Sequence, residues 1–295
     1  VQRLLIIGCG DIARRALPSL VKRYRVYAAV RSARQRDALR ALGVTPILAD
    51  LDQPHTLKRL AGIGSLVLHF APPPDRGTRD ARTRALAAAL SMSKILPQRL
   101  IYISTSGVYG NCDGALVSEE RVACPQTPRA CRRADAESVL RRFGRRVGMA
   151  VSILRVPGIY AADRLPLARL QRGDPLLRAE EDVHTNHIHA DDLADIALRA
   201  LARGRPGRIY NAVDDSEHTM GEYFDLIADA RHLPRAPRVT RAEAQSRLAP
   251  SMLSFMGESR RLKNSRIKRE LGVRLRYPTI GAGLAALAQP IAEAA

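Results

Sequence analysis

Residues 3–13, RLLIIGCGDIA, constrain the fold more tightly than any other stretch of the sequence. Four consecutive apolar side chains, Leu4 to Ile7, run into two glycines one residue apart, and a helix-forming segment follows at once. A strand with no polar face must be covered on both sides, as in a parallel sheet packed under helices. Gly8 permits the tight turn, Gly10 lets the backbone approach a ligand, and Ala13 is small enough for close helix–strand contact. The helix that starts at Asp11 offers free N–H groups and a positive dipole end to an anion. A Gly-x-Gly-x-x-Ala turn between strand and helix is the cradle of a dinucleotide pyrophosphate, with Gly8, Cys9, Gly10, Asp11 and Ile12 as its candidate contacts.

The rest of the first half repeats this rhythm. Strands are expected at 24–30, 45–50, 65–70, 99–105 and 151–156, with helices near 11–22, 34–42, 79–96 and 133–142 between them. Such alternation predicts an α/β fold, a Rossmann-type doubly wound parallel sheet with right-handed crossovers. After Pro157 the rhythm breaks, and glycine, proline and charge rise between Ala161 and Asp182. Residues 187–201 read as a helix and 208–213 as a strand that return to the sheet. The expected organisation is therefore a dinucleotide-binding domain over 1–160, completed by 187–213. Residues 161–186 and 214–295 form a smaller C-terminal lobe for the substrate.

The end of the second strand selects the cofactor. An NAD enzyme ordinarily carries Asp or Glu there to bind the ribose hydroxyls. Here the strand ends Val30-Arg31-Ser32, Arg34 and Arg36 follow, and no acid precedes Asp37. Guanidinium groups suit a 2′-phosphate, so Arg31 and Ser32 point to NADP, with NAD as the alternative.

Composition limits the remaining options. The formal charge is +19, yet only Lys22, Lys58, Lys94, Lys263 and Lys268 are lysines, and the arginines are spread along the whole chain. No basic tail or aromatic-interleaved strip gathers them into a nucleic-acid footprint, so no nucleic-acid partner is expected. No apolar run approaches the roughly 18 residues of a membrane span. Cys9, Cys112, Cys124 and Cys131 show no paired spacing and read as reduced thiols. With no cleavable apolar leader in its first residues, the chain is expected in the cytoplasm, with no membrane partner.

Several further segments, in order, resemble the NAD(P)-dependent epimerase/dehydratase family, the extended short-chain dehydrogenases. These are ISTSGVYG (103–110), RVPGIYA (155–161), HIHADDLADIAL (187–198), IYNAVDD (209–215) and NSRIKRELGVRLRYPT (264–279). The glycine turn departs from that family's usual G-x-x-G-x-x-G and marks an atypical branch. The resemblance implies that Asp50 and Leu51 lie near the adenine, Phe70 and Ala71 beside the cofactor ribose, and Pro157, Gly158 and Ile159 along the nicotinamide. It also places Thr105 where the family has its catalytic Ser or Thr, and it makes a homodimer the expected assembly.

One departure bears on chemistry. The family's Tyr-x-x-x-Lys falls on Arg129 and Arg133 when counted back from ADAESVL (134–140). Arginine stays protonated far above neutral pH and cannot exchange a proton with substrate, whereas a phenol beside a cation can. Arg133 retains the positive charge. Tyr109 and Tyr160 are the remaining phenols near the site, with Tyr109 the candidate on the strand-end loop. HTNHIHADD (184–192) gathers three histidines and two carboxylates, but the resemblance explains it as the family's return to the sheet and a helix capped at Asp191 or Asp192, so no metal is expected. The expected function is an NADP-binding oxidoreductase or epimerase-like protein acting on a polar, anionic, nucleotide-sugar-like small molecule, with Thr105, Tyr109 and Arg133 as catalytic candidates. Its rival is a non-catalytic NADP-binding sensor or scaffold that has lost the dyad.

Overall fold

Leu4 and Ile6 of the first strand, β1 (Arg3–Ile7), pack into one apolar cluster, and Leu5 and Ile7 pack into another. That period of two puts alternate side chains on opposite faces of the sheet and explains why the strand carries no polar residue after Arg3. In the computed structural model, which describes residues 1–288, the seven expected runs all become strands. They are β1, β2 (Arg25–Val30), β3 (Thr45–Leu48), β4 (Leu66–His69), β5 (Arg99–Thr105), β6 (Ala150–Val156) and β7 (Ile209–Asn211). All pair in parallel, in the order β3-β2-β1-β4-β5-β6-β7. The order reverses between β1 and β4, and the crevice beyond their carboxyl ends is where such a sheet binds ligands.

Among the helices are α1 (Asp11–Leu20), α2 (Arg34–Ala41), α3 (Ala81–Leu90), α4 (Pro128–Val147), α5 (Ala190–Arg203) and α6 (Met220–Ala230). Ile12, Ala13, Ala16 and Leu17 of α1 share a core with Leu193, Ile196, Ala197 and Ala200 of α5 on one face of the sheet. Leu86 and Leu90 of α3 and Ala136, Leu140 and Phe143 of α4 cover the other. Helix α4 exceeds the expected 133–142 at both ends. The Thr127 hydroxyl caps it by accepting the Ala130 N–H, Pro128 occupies its first turn, and Gly148 closes it at φ +70°. Its polar opening, PRACRR, hides the apolar stripe that starts at Ala136.

Residues 187–201 differ from the expected single helix. His187–His189 is a short strand paired in parallel with Gly158–Tyr160, and α5 begins only at Ala190. A third apolar cluster stands apart from the sheet. Leu170, Leu176, Leu177 and Val183 meet Phe224, Ile227, Val239, Met256, Ile280 and Leu284 there. Among the described residues no helix is long and apolar enough to cross a membrane, and all four cysteines are free thiols.

Candidate functional site

The two glycines of the turn have different physical roles. Gly8 sits at φ +92°, and a Cβ there would lie 2.4 Å from the Ala71 nitrogen, so the fold itself demands glycine. The reason is a close approach, because Ile7 O accepts the N–H groups of both Phe70 and Ala71, at 2.8 and 2.9 Å. Gly10 has no such demand: its φ is −87° and a Cβ would meet nothing within 4 Å. The space before Gly10 belongs to the cleft. No side chain caps α1, so its first N–H groups face that space without a side-chain partner. Asp11 and Ile12, expected as contacts, do not line the cavity that opens from this turn and offer only this backbone. The Asp11 carboxylate is turned to Arg15 and Arg164, each at 2.8 Å, and Ile12 is buried in the core. Burial pushes the Asp11 carboxyl up, but hydrogen bonds from Arg164 and Arg15 outweigh it and hold the group below its ordinary value.

A cavity of about 300 Å³ opens from this turn along the carboxyl ends of β1, β2, β3 and β4. Eight of the expected cofactor contacts line it: Gly8, Cys9, Gly10, Arg31, Asp50, Leu51, Phe70 and Ala71. Sequence reasoning missed Arg14, Gln35, Asp52, Pro72 and Arg82, which line it too. Arg14 follows the glycine turn and adds a second guanidinium to that of Arg31. Asp50 accepts the Asp52 N–H at 3.0 Å in a local turn, and Asp52 is gripped by Arg82. Ser32 is exposed beyond the cavity, where its carbonyl accepts the Gln35 N–H. These features fit a dinucleotide: open space at Gly10, uncapped N–H groups and, in Arg14 and Arg31, two guanidinium groups outside any ion pair among the described residues.

Pro157, Gly158 and Ile159 do not line this cavity. Gly158 packs against the His187 ring, which a Cβ would approach to 2.9 Å, and Ile159 shares an apolar cluster with Cys9 and Phe70. The histidines are engaged in packing. His187 stacks on Tyr223 at 3.8 Å between centroids, and burial pushes its pKa down to about 3. His189 Nδ1 accepts the Asp191 N–H and caps α5. Among the described residues, no group of three or more His, Cys, Asp or Glu could hold a metal ion.

Beyond β5, Thr105 accepts the Gly107 N–H at 3.2 Å and starts a short turn, Ser106–Tyr109. Gly107 in turn faces Ala130 of α4, where a Cβ would lie 3.8 Å from the Ala130 methyl, so the first turn of α4 abuts the strand end. Helix α4 is fixed there by a buried ion pair. Arg155 at the end of β6 donates to both oxygens of Glu137, and the Ser104 hydroxyl also donates to Glu137, at 2.6 Å. Arg133 Nη1 donates to Ile103 O at 2.7 Å and to the Tyr102 hydroxyl at 3.1 Å. The Arg129 guanidinium lies over the Phe255 ring, 4.6 Å from its centroid.

Tyr109, expected in the catalytic set, faces inward. Its ring is buried at 1 % exposure beneath the Arg155 guanidinium, and its hydroxyl donates to Asn211 at 2.8 Å. Burial raises its pKa. The expected strand-end loop is there, but the phenol points into the core between β5 and β7. Tyr160 is likewise buried and donates to Thr279 O at 3.3 Å. Tyr102 does stand beside a cation, yet burial raises its pKa despite Arg133, and the ring is fully enclosed next to His69.

Residues 8–203 match the sequence profile of the NAD(P)H-binding family, two thirds of the chain. The chain belongs to that family. Within it, the resemblance to NAD(P)-dependent epimerases and dehydratases holds. The dTDP-D-glucose 4,6-dehydratase of Mus musculus is 25 % identical over 276 residues, covering 83 % of this chain and 76 % of that protein. A structurally known, functionally unknown conserved protein from Silicibacter pomeroyi is 30 % identical, with a TM-score of 0.78 over 97 % of this chain and 98 % of the other. UDP-glucose 4-epimerase from Thermotoga maritima, solved with UDP-glucose, has a TM-score of 0.77 over 97 % of each chain. Its identity is 16 %, so the likeness is one of fold. The matched residues 8–203 begin at the glycine turn that opens this cavity.

Proposed function

We propose that the chain is an NADP-dependent oxidoreductase or epimerase-like protein acting on a polar, anionic small molecule of the nucleotide-sugar kind. The observation that carries this reading is the pairing of an open, uncapped glycine turn with Arg14 and Arg31 on the cavity wall. The α1 N–H groups and Gly10 would hold the pyrophosphate, and Arg31 would hold the 2′-phosphate. Asp50 and Leu51 would flank the adenine. The lobe built on Leu176, Phe224 and Met256 would close over the substrate, beyond Pro157, Gly158 and Ile159. Bound NADPH would supply a hydride to an electrophilic carbon. Thr105, whose oxygen accepts from Gly107, keeps its own proton to donate to a substrate oxygen, and Arg133 adds positive charge behind β5.

Arg129 and Arg133 favour a second reading, binding without Tyr-dependent turnover. Tyr109 and Tyr160 are both spent on internal acceptors, and neither arginine transfers protons near neutral pH. Calorimetric titration with NADPH and NADH, followed by NADPH oxidation over aldehydes, ketones and nucleotide sugars, separates the readings. Tight NADPH binding with turnover supports the first, and tight binding alone supports the second. Failure to bind either cofactor overturns both.

A further inference from the structure

Arginines 129, 132 and 133 occupy one face of the first turns of α4, at i, i+3 and i+4. Each is held in place by something other than an acid. Arg132 Nη1 donates to Gly77 O at 2.6 Å, Arg133 Nη1 donates to Ile103 O, and Arg129 rests on Phe255. Opposite them, Arg260 Nη1 donates to Gly110 O and to Glu258, both at 2.8 Å. The anchors Gly77, Ile103 and Gly110 come from the β4–α3 connection, β5 and the turn after it, so the four guanidinium groups ring the carboxyl end of β5.

The charges here do not balance. Glu258 is the one carboxylate that pairs with any of the four arginines among the described residues. Asp135 is taken by Arg84 and Glu137 by Arg155. Some other partly or fully buried arginines find acids: Arg15 has Asp11 and Asp191, Arg82 has Asp52, and Arg266 has Glu119 and Glu120, whereas Arg99 and Arg241, with no acid partner among the described residues, donate to backbone carbonyls. What sets this cluster apart is that four guanidinium groups gather around a single carboxylate, close enough for Arg129 to feel the other three. Arg132 is 8 % exposed, and its Nε has no hydrogen-bond partner; the same is true of Arg260 Nε and Glu258 Oε1. Burial lowers the Arg129 pKa, and although Glu258 opposes this, Arg133, Arg260 and Arg132 lower it further. Guanidinium groups stay charged in such a setting, so the repulsion and the orphaned donors persist until an anion arrives.

We propose that Arg129, Arg132, Arg133 and Arg260 form an oxyanion subsite that takes a carboxylate or phosphate group of the substrate beside Thr105. The planar guanidinium fork matches either group through paired N–H donors. Where its relatives would move a proton at the positions of Arg129 and Arg133, this chain binds charge. The inference rests on the reading of the carboxyl end of β5 as the substrate side, and its test does not depend on cofactor binding.

Calorimetric titration of malonate and of inorganic phosphate into the protein, free and NADPH-saturated, reads the subsite directly. Saturable binding of either probe is expected, and the tighter one names the chemistry of the substrate's anion. Arg129→Ala should weaken it about tenfold or more, as expected for losing a charge-assisted hydrogen bond. Arg129→Lys should recover only part of that loss. Arg142, exposed on the same helix, serves as the control for general surface charge, and Arg142→Ala should leave the affinity unchanged. NADPH affinity, measured on each variant, should match the native protein and verifies that the variant is folded. No saturable binding, or equal loss in Arg129→Ala and Arg142→Ala, overturns the subsite. Anion binding that depends on Arg129 in a protein that binds no NADPH upholds the subsite and overturns the cofactor reading instead.

Discussion

Arg82 grips Asp52 through two parallel hydrogen bonds, Nε to Oδ1 at 2.7 Å and Nη2 to Oδ2 at 2.6 Å. The same guanidinium donates to the carbonyls of Pro72 and Pro73, each at 3.2 Å. One side chain thus ties the segment after β3 to the segment after β4, and both segments line the cavity proposed for NADPH. Arg82→Ala should lower NADPH affinity about tenfold by loosening both walls, while stability falls by under about 1 kcal/mol, as is usual for a part-exposed ion pair. Arg82→Lys should not restore it, because the two-pronged geometry is lost. A fluorescence titration of NADPH beside a thermal melt reads both effects. Unchanged affinity in Arg82→Ala would show that the walls stand without it.

Cofactor preference should follow Arg31. Its guanidinium lines the cavity at the end of β2, and no acid takes the ribose position on that strand. NADPH should bind more tightly than NADH, and Arg31→Asp should erase or reverse the order. Equal native affinities, measured by calorimetry, would remove Arg31 from the 2′-phosphate site and leave Arg14 to the pyrophosphate alone.

The two glycines should fail in opposite ways. Gly10→Val has room for its side chain in the protein but places it in the pyrophosphate path. It should fold normally and lose NADPH binding. Gly8→Ala combines a positive φ with a Cβ 2.4 Å from the Ala71 nitrogen, so it should be destabilised by at least about 1–3 kcal/mol. Denaturant unfolding separates the two variants. A Gly8→Ala protein of native stability would contradict the close approach of β1 and β4.

Stability should depend on pH through Asp214. This carboxyl is buried, its Oδ1 accepts the Ser216 N–H at 2.9 Å and its Oδ2 has no partner. Burial pushes its pKa up to about 7, against the opposing hydrogen bonds of Ser216. The unfolded carboxyl titrates near about 3.9, so between roughly pH 4 and 7 the native state holds the proton more tightly. Stability contributed by the neutral acid is whole below that window and lost as pH rises through it, on the order of 4 kcal/mol in total. Asp214→Asn should flatten the slope and exceed the native melting temperature at pH 8. Parallel melting curves for the two proteins from pH 4 to 8 would rule Asp214 out as the source.

What the sequence revealed, and what it hid, follows from the range of the interactions involved. The strands were legible because RLLII, SLVLHF and VSILRV carry their burial in consecutive residues, and the glycine turn was legible because strand, turn and helix adjoin. His187–His189 was hidden inside a helical reading, since its pairing with Gly158–Tyr160 spans about thirty residues. Arg82 could not be singled out among many arginines, because its partner Asp52 lies thirty positions away in another loop. Arg14 was within reach of sequence reasoning, one turn into a helix already assigned to the pyrophosphate. Tyr109 misled for the converse reason. The motif around it gave its place in the chain, but the direction of the ring is set by Asn211 and Arg155, far off in sequence.

The loss of the phenol should be visible in turnover. By the resemblance, Arg129 and Arg133 fall at the places of the proton-transferring Tyr and its Lys, and the hydroxyls of Tyr109 and Tyr160 donate their hydrogen bonds to Asn211 and Thr279. Without a phenol at the reacting oxygen, a general acid–base contribution of about 10²–10⁴-fold should be missing. Thr105 and Arg133 would leave slow hydride transfer or binding alone. NADPH oxidation across aldehydes, ketones and nucleotide sugars should therefore be slow in the native protein and, at saturating substrate, faster when Arg129→Tyr is combined with Arg133→Lys, with a higher KM for anionic substrates. Tyr109→Phe should act on stability rather than on turnover, costing about 1–3 kcal/mol by leaving the Asn211 carbonyl with one partner fewer in the core. Rapid native turnover abolished by Tyr109→Phe, in a variant that melts like the native protein, would refute this account. It would make Tyr109 the proton donor and require the loop from Ser106 to Gly110 to turn its ring out of the core during the reaction.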